Sequence, residues 1–193
     1  VALILASASA SRRAILDAAG ISFTTQPTTI DESRFKTEAR DPRLVANELA
    51  EAKALDVSKE RPGAWVIGSD SIVSVEDASF DKPVTRADAA DHLRAFSNRT
   101  MELTSAVALA RNGLVDWVHS ETALLKVREL SEAFIQHYLD QEWPAVGQCV
   151  GVFRIEGRGA HLFDRLEGSH FTILGMPLLP LLAALRDRGL APQ

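Results

Sequence analysis

The chain has one cysteine, Cys149, and one tyrosine among 193 residues, and only 6% of it is aromatic. A single thiol closes no internal disulfide, so an apolar core and not covalent staples must hold the fold. Positive charge is not in excess: 21 lysines and arginines face 26 acids, for a net charge of −5. That balance argues against broad nonspecific binding to nucleic acid, which leans on a basic surface. Long apolar runs are missing too. The most apolar tract, Phe171 to Leu185, is interrupted by Gly175, Pro177 and Pro180 and falls short of the roughly 20 residues that span a bilayer. A strand end, a turn and a buried C-terminal helix are expected there instead, with no membrane partner. No signal-peptide pattern opens the chain, and a cytoplasmic location is the simplest expectation. The five histidines form no metal motif; His92 and His137 fall on expected helices as surface or packing residues. Cys149 has no His-paired context that points to a catalytic thiol.

What is present is an ordinary globular composition, 46% hydrophobic and 24% charged, long enough for one substantial core. A single domain over residues 1–193, two-lobed in form, is the expectation. The most informative stretch is Leu3 to Arg13. Leu3-Ile4-Leu5 reads as a short strand, the Ala/Ser run from Ala6 to Ser11 as a polar loop, and Arg12-Arg13 as the start of a helix through Leu16 and Ala19. Ser9 or Ser11 is placed to cap that helix, whose first amides point out unpaired. Arginines are disfavoured at the positive end of a helix dipole, so two of them there point to an anion that offsets the cost. The alternative is a capped surface helix with two solvated arginines.

Further along, Ile21 to Gln26 alternates like a strand, and Thr28 to Ala39 is a charged loop in which Asp31 or Glu32 is a candidate acid or metal ligand. Pro42 opens a helix to about Lys59 with Val45, Leu49, Ala52 and Leu55 on one stripe and Lys53 at its border. Such a lysine either snorkels to solvent or reaches into a cleft beside the core. Trp65 to Val75 reads as a central strand except for Asp70, a poor strand former that is costly to bury without a partner; a turn through Ser69-Asp70-Ser71 is the alternative. Glu76 to Pro83 is a turn-rich connection carrying Lys82, and Thr85 caps a helix with Ala89, Leu93 and Phe96 inward. Asn112-Gly113 joins two long strand-like runs, Met101 to Ala110 and Leu114 to Val127, as a hairpin. Ser131 caps a further helix, Val150 to Ile155 reads as a strand, and Leu178, Leu181, Leu182 and Leu185 mark the last helix. Interleaved helices and strands with an antiparallel hairpin predict an α/β fold, a mixed sheet flanked by helices. A cleft would then gather Arg12, Arg13, Lys53, Asp70 and Lys82.

Taken in order, Leu5-Ala6-Ser7 to Arg12-Arg13, Asp31-Glu32, Ala52-Lys53-Ala54, Gly68-Ser69-Asp70, Lys82-Pro83, Glu156-Gly157 and Gly175-Met176-Pro177-Leu178 resemble the Maf family of nucleotide pyrophosphatases, named for an effect on septum formation. The likeness runs from about residue 3 to residue 183. It implies an elongated mixed sheet with a deep central cleft, cleavage of a nucleoside triphosphate to the monophosphate and pyrophosphate with a divalent metal cation (Mg or Mn), and a homodimer in many members. It also implies residue roles: Asp70 as the catalytic acid/base, Ser7, Ser9, Arg12, Arg13, Lys53 and Lys82 around the phosphates, and Glu32 with Asp70 at the metal.

Within the family, Gly68-Ser69-Asp70, Glu156-Gly157-Arg158-Gly159 and Leu162 to Gly168 are most similar to the branch acting on 7-methyl-GTP. Glu156 suits a guanine edge, whose amino and imino groups donate to a carboxylate. Ser11 stands where that branch has tryptophan, Ser71 where it has glutamine, and Thr104-Ser105 replaces Thr-Gly, so Ser11, Ser71 and Glu156 are the positions expected to set base preference. Two other readings fit the same residues: a noncatalytic nucleotide-binding regulator of division, which would not need Asp70, and a pyrophosphatase with a different base preference.

Overall fold

The computed structural model describes residues 2–36 and 40–192; residues 37–39, the end of the expected charged loop, lie outside them, as do residues 1 and 193. The chain divides into two compact units, one of Val1–Ser71, Thr104–Glu121 and Ser169–Gln193, the other of Ile72–Leu103 and Thr122–Gly168.

In the first unit, β1 (Leu3–Leu5) pairs in parallel with β2 (Thr24–Thr25) on one side and with β3 (Trp65–Val75) on the other, in the register Leu3 to Trp65 and Leu5 to Ile67. The order continues through β5 (Thr100–Arg111) and β6 (Leu114–Val127), two strands that pass from one unit to the other, as β3 does. Helices α1 (Ala10–Ala18), α2 (Pro42–Glu60), α5 (His170–Ile173) and α6 (Leu178–Asp187) complete this unit. Its core gathers Leu5, Leu16, Ile67, Leu109, Met176, Leu181 and Leu185. Ile15 and Leu16 anchor α1 in it. At roughly 1.5–3 kcal/mol for each buried side chain, they outweigh the about 0.3–1 kcal/mol that an arginine costs at the positive end of a helix. Core packing therefore holds Arg12 and Arg13 where the dipole alone would not.

The second unit carries β4 (Ala78–Phe80), antiparallel to the end of β3, and β7 (Phe163–Glu167), antiparallel to the end of β6. Helices α3 (Arg86–Phe96) and α4 (Glu132–Glu142) pack on each other. Each is capped as its sequence predicts, α3 by a reciprocal Thr85–Asp88 capping box and α4 by Ser131. Parallel and antiparallel pairs together make the sheet mixed, as expected.

The uninterrupted reading of β3 holds: all eleven residues from Trp65 to Val75 are extended and buried, Asp70 included. The hairpin holds as well, with Asn112 and Gly113 both at positive φ (52° and 75°), the backbone a type I′ turn requires. Four expectations fail. Ile21 to Gln26 shortens to Thr24–Thr25, because the Ile21 amide turns back to the Leu16 carbonyl and closes α1. The connection after β3 contains a strand, β4, paired through Val73 to Phe80. Val150 to Ile155 is no strand: Val152 sits at φ 56° and its amide bonds the Cys149 carbonyl, so the chain turns there. The strand end expected near Phe171 is helical, with Ile173 bonded back to Ser169 and Leu174 to His170.

One glycine sets how α2 lies on the sheet. A Cβ on Gly68 would overlap the Ala50 carbonyl and stand 2.6 Å from the Ala54 amide, both backbone atoms of α2. Because neither backbone can yield cheaply, Gly68→Ala is expected to cost about 3 kcal/mol or more, read as a lowered midpoint in urea unfolding with unchanged m-value.

Candidate functional site

Asp70 lies halfway along β3 with 7% of its surface exposed. A buried carboxylate needs compensation, and two cations supply it. Lys53 comes from α2, one helical step from the close contact over Gly68, and its Nζ donates to Asp70 Oδ1 at 3.2 Å. Arg12 comes from α1 and sets Nη2 3.8 Å from the same oxygen. The other carboxylate oxygen, Oδ2, is buried and has no hydrogen-bond partner. An orphaned acceptor of this kind costs about 1–3 kcal/mol, so it marks where a proton donor or a cation would be welcomed.

Glu32 completes the cluster. Asp31 caps the short 3-10 turn Glu32–Arg34 by accepting from the Ser33 amide and hydroxyl, which leaves Glu32 to reach inward. Of the two acids on this loop, Glu32 is the one at the site: its Oε1 accepts from Lys53 at 2.7 Å and its Oε2 from Lys36 at 3.3 Å. Burial pushes the Glu32 carboxyl up, but the bond and charge of Lys53, with Lys36 behind it, outweigh burial and hold it down at about 2. Burial lowers the Arg12 guanidinium from its usual range, while Asp70 and Glu32 draw it back up. Lys53 thus bridges the two acids, with Arg12 beside Asp70 and Lys36 beside Glu32.

The polar loop supplies the neighbouring donors. Ser9 is the N-cap of α1, its side chain accepting from the Arg12 amide at 3.3 Å. Ser7 is buried; its hydroxyl accepts from the Ser9 amide at 3.2 Å and lies 3.5 Å from Arg12 Nη1. Arg13 is exposed on the first turn of α1. Ser11 donates to the Leu174 carbonyl at 2.7 Å, and Arg12 Nε donates to the Gly175 carbonyl at 3.0 Å. Gly175 has φ 107°, a conformation that favours glycine, and its α-carbon faces Ser71 and Arg12.

Of the residues read from the sequence, Ser7, Ser9, Ser11, Arg12, Arg13, Glu32, Lys53, Asp70 and Ser71 fall in the first unit, and side-chain hydrogen bonds or ion pairs join Ser7, Ser9, Arg12, Glu32, Lys53, Asp70 and Ser71 in one network. Lys82 and Glu156 belong to the second unit, where both are exposed and both act on the charge state of the half-buried Cys149. Burial raises that thiol, with Glu156 raising it further and Lys82 opposing. Sequence reasoning missed the buried Glu142, whose carboxylate accepts from Arg154 at 2.7 Å. It also missed the hydroxyls of Ser69 and Thr172 and the carbonyl of Gly175. Ser69 and Gly175 lay inside the Gly68-Ser69-Asp70 and Gly175-Met176-Pro177 motifs, but a carbonyl leaves no side chain to read.

Among the described residues, no group of three or more His, Cys, Asp or Glu forms a cage for a metal ion. Nor is any helix long and apolar enough to cross a membrane.

A strand carboxylate set between a buried lysine and a partly buried arginine, beside a serine-capped helix start, defines an α/β protein with a charge-compensated carboxylate site. The chain belongs to the Maf family: the model for "Maf-like protein" matches residues 2–188, in agreement with the motifs. Over 196 residues and 99% of both chains it is 46% identical to the nucleoside triphosphate pyrophosphatase of Sphingopyxis alaskensis. Over 191 residues, 97% of this chain and 96% of the relative, it is 45% identical to the 7-methyl-GTP pyrophosphatase of Rhizobium etli. Among solved structures it is similar to the HAM1 protein of Coxiella burnetii, at TM-score 0.44 and 16% identity over 66% of this chain and 73% of that one. The assignment rests on the family match and the curated relatives.

The depressed Glu32 carboxyl has a consequence for stability. A group whose folded pKa lies below its unfolded value of 4.5 stabilises the fold above that pH and loses its contribution as pH falls toward 2. Wild type and Glu32→Gln, compared by urea unfolding across pH 2–7, are expected to differ by a constant amount above about pH 5 and to converge toward pH 2.

Proposed function

We propose that the Asp70 site cleaves nucleoside triphosphates between the α and β phosphates, giving the monophosphate and pyrophosphate, and that it favours a modified guanine nucleotide such as 7-methyl-GTP. The observation that carries this reading is the unpartnered buried Oδ2 of Asp70 beside Lys53, Arg12 and Glu32. The full-length similarity to nucleoside triphosphate pyrophosphatases supports the reaction.

In the reaction, Asp70 Oδ2 takes a proton from water as the water oxygen attacks the α phosphorus. The bond from that phosphorus to the bridging oxygen breaks, and the electron pair leaves with pyrophosphate. Arg12, Arg13 and Lys53 hold the phosphates and offset the charge that grows on the leaving group. Ser7 and the Ser9-capped start of α1 add neutral donors and the positive end of the helix.

Asp70 and Glu32 fit a divalent cation, Mg or Mn. They offer one unpartnered oxygen and a second carboxylate on a loop, and ions of this kind take one or two carboxylates with substrate phosphates. When bound, such a cation neutralises phosphate charge and makes water a stronger acid. Glu156 supports the guanine preference through its acceptor oxygens, with Ser11 and Ser71 replacing bulkier side chains near Arg12. A cytoplasmic enzyme, active as a homodimer and acting on free nucleotides, follows the same family reading.

Purified protein with magnesium or manganese is expected to release pyrophosphate from a panel of canonical and modified nucleoside triphosphates, fastest from 7-methyl-GTP. Asp70→Asn is expected to keep its fold and nucleotide binding while turnover falls at least roughly a hundredfold. Near-wild-type turnover in that variant would remove Asp70 from the role of base, and no hydrolysis of any nucleotide despite binding would favour a regulator.

A further inference from the structure

The contacts of Arg12 lead to a residue outside the charged cluster. Arg12 Nη2 donates to Ser71 Oγ at 3.1 Å, Ser71 Oγ lies 2.8 Å from Ser105 Oγ, and Ser105 donates to the Thr172 carbonyl at 2.9 Å. A serine hydroxyl has one proton to give. With the Ser105 proton committed to Thr172, the proton between the two serines comes from Ser71, and the Ser71 lone pairs are left facing Arg12. Without the Ser105 hydroxyl, the acceptor next in reach of Ser71 is the Gly175 carbonyl at 3.4 Å. That oxygen already takes Arg12 Nε at 3.0 Å, so Ser71 would compete with the arginine it now serves.

The same serine reaches Arg12 by a second route. Its bond to the Thr172 carbonyl ties down the segment that presents Gly175, and Thr172 Oγ1 pins that segment again by donating to Glu121 Oε2 at 2.5 Å. Ser105 and Thr172 are fully buried, so water does not replace these bonds when they are lost. Two anchors of the guanidinium plane, Ser71 and the Gly175 carbonyl, therefore trace back to β5.

We propose that Ser105 is a positioning residue for the anion-binding arginine: through Ser71 and through the Thr172–Gly175 segment it fixes the plane in which Arg12 presents its donors to phosphate. A planar fork recognises phosphate oxygens only in register, so its orientation matters as much as its charge. The inference rests on the reading of Arg12 as a phosphate-binding group.

The test uses inorganic tripolyphosphate as the probe, with affinity measured by calorimetry for wild type, Ser71→Ala, Ser105→Ala and the double variant, beside pyrophosphate release from nucleoside triphosphates. Each single change is expected to weaken tripolyphosphate binding about tenfold, the scale of one hydrogen bond to a charged group. The double variant is expected to lose no more than the weaker single, because both changes cut one relay. Ser105→Thr keeps the hydroxyl and is expected to restore binding. A Ser105→Ala protein that binds within about twofold of wild type and only melts earlier would overturn the proposal, as would a double variant showing the product of the two single losses. If Ser105→Ala does not fold, unchanged binding by Ser71→Ala overturns it from the other end of the relay. Wild type that binds no tripolyphosphate overturns it as well. Ser105-dependent binding without pyrophosphate release from any nucleotide would instead overturn the enzymatic reading and leave the positioning role standing.

Discussion

A helix lies against a strand backbone only where the strand leaves a gap, and Gly68 leaves one for α2. Ala50 and Ala54 occupy the space a side chain would need. Lys53 sits between them in sequence, so the approach that the glycine permits also carries the ammonium to Asp70, two residues further along β3. A wider separation would leave the lysine to solvent and the aspartate uncompensated in a buried strand. Packing and electrostatics are thus not separate layers here: the close backbone approach over Gly68 and the central ion pair of the site have one cause.

Charge balance then determines what the cluster is able to do. An ion pair in a dry interior gains little net stability, because desolvation cancels most of the attraction. The Lys53 bridge and the Arg12 contact are therefore poorly explained as fold-stabilising devices. Their arrangement leaves one Asp70 oxygen without a partner while its twin faces two cations. A structure optimised for stability alone would satisfy both. The unsatisfied oxygen is the feature on which the proposed hydrolytic role draws.

Much of this was legible in the sequence because it violated local rules. Arginines at the start of a helix, an aspartate inside an apolar strand and a lysine on the border of an apolar stripe each stood out against expected patterning, and the structure joins Arg12, Asp70 and Lys53 while leaving Arg13 exposed. The hairpin and the capped helices were legible for the opposite reason, since Asn-Gly, Thr85 to Asp88 and Ser131 follow local rules closely. Failures came where tertiary contacts override local propensity. Val150 to Ile155 has strand composition, but Gly151 packs against the Phe153 ring and Val152 adopts a left-handed backbone. The relay through Ser71, Ser105 and Thr172 was illegible because its members stand 34 and 67 residues apart, and serine or threonine in a strand signals nothing by itself.

Cys149 shows how the second unit treats its one thiol. Thiol chemistry runs through the thiolate, and burial with Glu156 nearby raises the pKa of Cys149. At neutral pH the sulfur is therefore held in its protonated, weakly nucleophilic form, slow to meet peroxide or to exchange with a disulfide. Burial contributes most to that rise, and the Glu156 carboxylate adds to it.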